Sequence, residues 1–238
     1  MQDPPDPPAL VLLHGCGGTA QAAFEATGLI GRFRDASRPP LALTLPGHGH
    51  GPCSHDPAAY ADLAGLIASQ LPHGPLDAVG YSLGGKLLLE LAIRSPGRFR
   101  RLVLGGVGDN VFAPEGVAAA AASALEHGPD RDTPAPVRAF LNTFEPDRND
   151  ALAIAAVLRR PPNPEFTEER LAAIEAEVLL INGQDDPAAG ECRRLQGALR
   201  RSPGVVMLPG VGHFGVPAAP AFVRAAVEFI VRTEGEAS

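Results

Sequence analysis

The chain holds 238 residues, 45% of them hydrophobic and 20% charged, a balance that suits one sizeable globular core and excludes a chain too polar to fold. Twenty basic against twenty-seven acidic residues leave a net charge of −7, and no stretch gathers Lys and Arg as a phosphate-tracking surface requires, which excludes nucleic acid as a partner. No apolar run approaches the ~20 residues of a bilayer span, and the opening MQDPPDPPAL has no basic region and no apolar stretch before Ala9, so a cytoplasmic protein with no membrane partner is expected.

In chain order, the first predicted strand is Ala9–Leu13, which runs into the glycine-rich loop His14-Gly15-Cys16-Gly17-Gly18. A second, Leu41–Leu45, leads into Pro-Gly-His-Gly. A helix follows over Tyr60–Leu71, with Leu63, Leu66, Ile67 and Leu71 at helical spacing. The third strand, Leu76–Tyr81, passes directly into a helix over Ser82–Arg94, and the fourth is Leu102–Gly106. Between Val107 and about Pro164 the strand rhythm breaks into an Ala-rich run (Gly116–Leu125) and helical patterns at Val137–Phe144 and Asp150–Arg159. Strands then resume at Val178–Asn182 and Val205–Leu208. A helix over Ala221–Arg232 closes the chain, with Phe222, Val223, Val227 and Ile230 on one side.

These strands are continuously apolar rather than alternating and are separated by helix-length segments, the pattern of a parallel sheet covered on both faces. The fold class expected is therefore α/β: a mostly parallel sheet of about six strands flanked by helices, with an inserted helical cap. The core comprises residues 1–107 and 165–238, and the cap 108–164. Phe140, Leu141, Phe144, Leu152, Ile154 and Leu158 give the cap enough apolar surface to fold against something, either as a lid over a site or as a satellite packing unit.

The segment Gly80-Tyr81-Ser82-Leu83-Gly84 joins a buried strand to a helix through G-x-S-x-G, so Ser82 is expected at the top of the sheet and at a helix N-terminus. A serine hydroxyl is a weak nucleophile and needs a base, which in turn needs a group to fix its tautomer. Two later strand ends carry such groups: Gly183-Gln184-Asp185-Asp186-Pro187, and Gly212-His213-Phe214. The candidate catalytic residues are thus Ser82, Asp186 and His213, in the chain order expected for this elbow. The backbone amides of Cys16 and Leu83 are the candidate oxyanion donors. Phosphate binding is set aside, because Gly17-Gly18 is followed by no Lys-Ser/Thr and the G-x-G-x-x-G spacing is absent.

In His14–Gly18, Leu45–Gly49 (L-P-G-H-G), Gly80–Gly85, Arg101–Leu104, Gly183–Pro187 and the Gly210–Phe214 region, the chain resembles the α/β-hydrolase superfamily. The resemblance implies that Asp186, not its neighbour Asp185, is the acid, and that His14 is structural. It also marks two departures. Thr44 stands where relatives often carry an acidic residue, and the chain starts too close to its first strand for the usual opening hairpin.

Other residues invite competing readings. His48, His50, Cys53 and His55 have donor spacings that would suit a metal, but His48 already belongs to the L-P-G-H-G turn and no distant pair completes a set. His73 and His127 read as surface turn residues. Asp109, just past the fourth strand, is the second candidate for the acid. Lys86 either attracts an acidic substrate or is simply solvated, and the Cys16 side chain either borders the pocket or packs as a small hydrophobe. Cys16, Cys53 and Cys192 are an odd number without framework spacing and read as reduced thiols. The function expected is hydrolysis of an ester or related acyl bond of a small molecule through a Ser82 acyl-enzyme, with no metal or organic cofactor. The alternatives are a lyase or C–C bond enzyme on the same fold, similar to the menaquinone-pathway synthase, and a ligand receptor without turnover.

Overall fold

The computed structural model of the protein describes residues 7–50, 53–113, 117–161, 166–189 and 191–233. Six strands, β1 (Ala9–Leu13), β2 (Pro40–Leu43), β3 (Leu76–Tyr81), β4 (Phe99–Gly105), β5 (Glu177–Gly183) and β6 (Gly204–Leu208), form one sheet. Their order is β2-β1-β3-β4-β5-β6 and every pairing is parallel. Among the described residues the expected class and strand number therefore hold.

The helices are α1 (Leu29–Asp35), α2 (Leu63–Ala68), α3 (Leu83–Arg94), α4 (Ala118–His127), α5 (Ala135–Thr143), α6 (Ala151–Arg159), α7 (Glu168–Leu171), α8 (Arg193–Ala198) and α9 (Pro220–Val231). The continuous apolar runs arise because alternate side chains enter two different cores. Val11 and Leu13 of β1, Leu102 and Leu104 of β4, and Val178 and Leu180 of β5 pack with Leu63, Leu88 and Leu195 of α2, α3 and α8. Leu10 and Leu12, Val103, and Leu179 and Ile181 face the other way, onto Phe33 of α1 and Phe222 and Ile230 of α9. Burying such a side chain stabilises the fold by roughly 1.5–3 kcal/mol.

Some boundaries differ from the sequence expectation for identifiable reasons. Strand β2 ends at Leu43, and the apolar run continues because Leu45 is buried in the following turn, where its N–H donates to His14 Nε2 at 3.0 Å instead of to a ladder. The helix expected over Tyr60–Leu71 is split into a 3-10 turn at Pro57–Tyr60 and α2. Asp56 caps the turn through Ala58 N–H, and Asp62 caps α2 through Gly65 N–H.

The segment between β4 and β5 is helical but not detached. Ala121, Ala124 and Val137 of α4 and α5 form a small cluster of their own. Ala156 and Val157 of α6, and Val111 before α4, belong to the core over the sheet. The cap boundary at 164/165 and the start of the Ala-rich run at Gly116 lie outside the described residues.

From β1 the chain crosses outward to β2, then returns past β1 to β3 and continues in the opposite direction through β4, β5 and β6. The order reverses between β1 and β3, so a crevice opens at the C-terminal ends of these two strands.

Candidate active site

Ser82 sits in that crevice, between the end of β3 and the first residue of α3, with φ 50° and ψ −115°. A non-glycine residue held there costs roughly 1–3 kcal/mol and persists only where its surroundings fix it. The surroundings do so. Ser82 N–H donates to the Gly105 carbonyl at 2.8 Å, and Gly84 N–H donates to the His14 carbonyl at 3.1 Å, tying the turn to β4 and β1. The flanking glycines answer to close approach: a Cβ at Gly80 would lie 2.7 Å from Gly85 Cα, and one at Gly84 would overlap the Leu13 carbonyl.

Ser82 Oγ lies 3.0 Å from His213 Nε2, and His213 Nδ1 lies 2.8 Å from Asp186 Oδ2. A carboxylate facing Nδ1 places the imidazole proton there, which leaves Nε2 to accept from the Ser82 hydroxyl. The other Asp186 oxygen accepts from the N–H groups of Ala188 and Ala189 at 2.8 and 2.9 Å. Burial pushes the Asp186 carboxyl up, but the hydrogen bond and charge of His213 together with those two amides outweigh it and hold it below the usual range. The two loops are stitched together, since Gln184 N–H donates to the Leu208 carbonyl and Asp185 N–H to the Val211 carbonyl.

The sequence reading missed Tyr81 and Asn182. Tyr81 donates its hydroxyl to the His213 carbonyl at 2.9 Å and lays its ring 5.3 Å from the imidazole. Burial raises its phenol pKa, so it remains a donor. Asn182, fully buried at the end of β5, accepts from Val107 N–H and donates to Val107 C=O at 3.0 and 2.8 Å. A polar residue inside an otherwise apolar strand run was the available signal for Asn182.

The loop after β1 brings Cys16 to the same cavity wall as Ser82. His14 Nδ1–H donates to the Gly15 carbonyl at 2.8 Å while its Nε2 accepts from Leu45. His48 Nδ1–H faces the Pro46 carbonyl at 3.1 Å and its Nε2 accepts from Gly17 N–H at 3.0 Å. Both imidazoles use both nitrogens. Burial, with the neighbouring His48, lowers the pKa of His14 to about 3, and burial lowers that of His48 to about 4, so both stand neutral at pH 7. Leu83 opens α3, where first-turn N–H groups have no intrahelical acceptor.

A cavity of about 750 Å³ opens on Ser82 and His213. Ala121, Val137, Phe140 and Leu158 of the inserted helices line it, so this segment walls the site. Lys86 is half-buried on that wall rather than fully solvated, and exposed Asp185 lies at its edge. Asp109 is elsewhere: its carboxylate accepts from the N–H groups of Arg194 and Leu195 at the start of α8. His55 pairs with Asp150 at 2.7 Å, Cys53 Sγ lies 3.6 Å from the same carboxylate, and His50, His73 and His127 are exposed. Among the described residues no group of three or more His, Cys, Asp or Glu side chains is placed to hold a metal, and no helix is long and apolar enough to cross a membrane. Cys16, Cys53 and Cys192 form no disulfide.

Residues 10–226 match the model of the alpha/beta hydrolase family. A pimeloyl-[acyl-carrier protein] methyl ester esterase of Neisseria meningitidis serogroup B / serotype 15 (strain H44/76) is 33% identical over 213 residues, covering 79% of this chain and 80% of the relative. One of Nitrosomonas europaea is 28% identical over 235 residues, covering 87% and 88%. Among solved structures, the enol-lactonase from Burkholderia xenovorans LB400 superposes with a TM-score of 0.70 at 20% identity, over 96% of this chain and 93% of that one.

Proposed function

The chain belongs to the alpha/beta hydrolase family, and from that premise we propose that it hydrolyses esters with Ser82 as nucleophile, His213 as general base and Asp186 as the acid that orients it. The observation that carries the reading is the continuous hydrogen-bonded line from Ser82 Oγ through His213 to Asp186, at 3.0 and 2.8 Å, opening on an apolar cavity.

In this reading Ser82 Oγ attacks the acyl carbon while its proton passes to His213 Nε2, and Asp186 stabilises the resulting imidazolium. The carbonyl oxygen becomes an oxyanion facing the N–H groups of Cys16 and Leu83, the latter at the positive end of α3. Collapse of the intermediate breaks the bond to the alcohol, which leaves with the proton from Nε2. Water then gives a proton to His213 and its hydroxyl to the acyl carbon, and the acid departs as Ser82 regains its hydrogen.

The substrate class we assign is the methyl or other short-alcohol ester of a medium-length acyl chain, a reading supported by Neisseria and Nitrosomonas relatives named as pimeloyl-[acyl-carrier protein] methyl ester esterases. The Ala- and Phe-lined cavity supports an apolar acyl group. We place the enzyme in the cytoplasm, which suits three cysteines that form no disulfide with one another. The relatives are named for ester hydrolysis, and no observation favours lyase chemistry. The test is a series of methyl esters of graded acyl length assayed with wild type and Ser82→Ala. Turnover that peaks at intermediate length and vanishes in the variant supports the reading, and turnover that survives in the variant overturns it.

A further inference from the structure

Asn149 lies in the turn between α5 and α6, yet it is almost fully buried and is bonded to two loops more than 95 residues away in sequence. Its Nδ2 donates to the Gly17 carbonyl at 3.2 Å and to the Glu145 carbonyl at 3.4 Å, and its Oδ1 accepts from Gly49 N–H at 3.0 Å. The orientation of the amide is dictated by these partners, because the flipped form would set two donors against each other at Gly49. We infer that Asn149 is a positioning residue for the oxyanion hole, holding the Gly17 peptide so that the inserted helices set the aim of the Cys16 amide. The inference rests on the serine-esterase reading above.

Gly17 has φ 70° and no side chain to steady it, so its two flanking peptides must be held from outside. His48 Nε2 fixes the plane on its N-terminal side, through Gly17 N–H, and Asn149 fixes the one on its C-terminal side, through Gly17 C=O. The Gly15 carbonyl is pinned by His14 Nδ1–H at 2.8 Å and by Gly18 N–H at 3.3 Å. A trans peptide is planar with C=O and N–H opposed, so pinning that carbonyl directs Cys16 N–H the other way. Asn149 is the one member of this set contributed by the segment between β4 and β5, from the turn that joins α5 to α6. Phe140 of α5 presses on the same point, since a Cβ at Gly17 would fall 2.7 Å from its ring.

Loss of one oxyanion donor costs ~10²–10³ in rate, and a donor that is mis-aimed rather than removed is expected to cost about 10–100-fold. The test compares Asn149→Ala with wild type, under conditions where thermal melts show both folded. Two inhibitors are titrated. An alkyl boronic acid adds to Ser82 Oγ as a tetrahedral anionic boronate, with the serine proton passing to His213, and so needs the oxyanion hole. A neutral amide analogue of the substrate fills the cavity without charge. The expected result is that kcat/KM and boronate affinity fall together by 10-fold or more while amide affinity changes by less than about 3-fold. Equal weakening of both inhibitors, or of neither, overturns the inference. Asn149→Ser is read in the same way if the alanine variant does not fold, and failure of both to fold makes the residue purely structural and also overturns it. If instead Ser82→Ala retains turnover and boronic acid does not inhibit wild type, it is the esterase reading that falls.

Discussion

The Tyr81 hydroxyl donates to the backbone carbonyl of His213 at 2.9 Å, so the residue immediately before the candidate nucleophile holds the main chain of the candidate base. One side chain thereby ties the end of β3 to the loop after β6, across a sheet in which β4 and β5 lie between them.

Removing that hydroxyl in Tyr81→Phe leaves the His213 carbonyl without its donor while preserving the ring against the imidazole. Stability should fall by about 1–3 kcal/mol. In addition, kcat should fall more than KM rises, because the change loosens the base and not the cavity. Denaturant melts and initial rates check this, and unchanged kcat would make the contact incidental.

Among the acidic residues, Asp186→Asn should cost on the order of 10⁴ in kcat by leaving the imidazole in the wrong tautomer. Asp185→Asn should lose far less. Asp109→Ala should keep turnover but lose about 1 kcal/mol of stability, since the Asp109 carboxylate caps the start of α8. Steady-state rates and melts on the three variants decide the assignment.

Six strands were readable because a sheet covered on both faces leaves most strand positions apolar, and the elbow was readable because steric crowding demands glycine at Gly80 and Gly84. The triad candidates follow from the same logic, as polar residues at the C-terminal ends of parallel strands. The long-range partnerships were not readable. Nothing local to Asn149 indicates that it will meet Gly17 and Gly49, and a tyrosine beside a serine is as often a packing residue as a donor to a loop 132 residues on. Asp109 shows the converse: its position suggested chemistry, and only the placement of α8 shows that it is a cap.

Acid should destabilise the fold through His14 and His48. Their folded pKa values lie at about 3 and about 4, whereas unfolded imidazoles titrate near 6.5. Between these limits the unfolded chain binds more protons, so stability falls as the pH drops below ~6.5, by up to about 2.7 kcal/mol per pH unit while both contribute. The depressed Asp186 carboxyl acts in the same direction, but only below about pH 4. Urea midpoints at pH 7.5, 6 and 5 should decline, and His48→Gln should roughly halve the slope. A flat profile between pH 7 and 5 would show that these histidines are not buried neutral.

The most direct measurement is covalent labelling with a fluorophosphonate, followed by intact mass and peptide mapping. A single adduct is expected, on the peptide carrying Ser82, and loss of ester turnover should follow its formation one for one. Labelling should slow by several orders of magnitude in His213→Ala, which removes the base 3.0 Å from the hydroxyl. An adduct on another residue, or full ester turnover by enzyme quantitatively labelled at Ser82, would contradict the account.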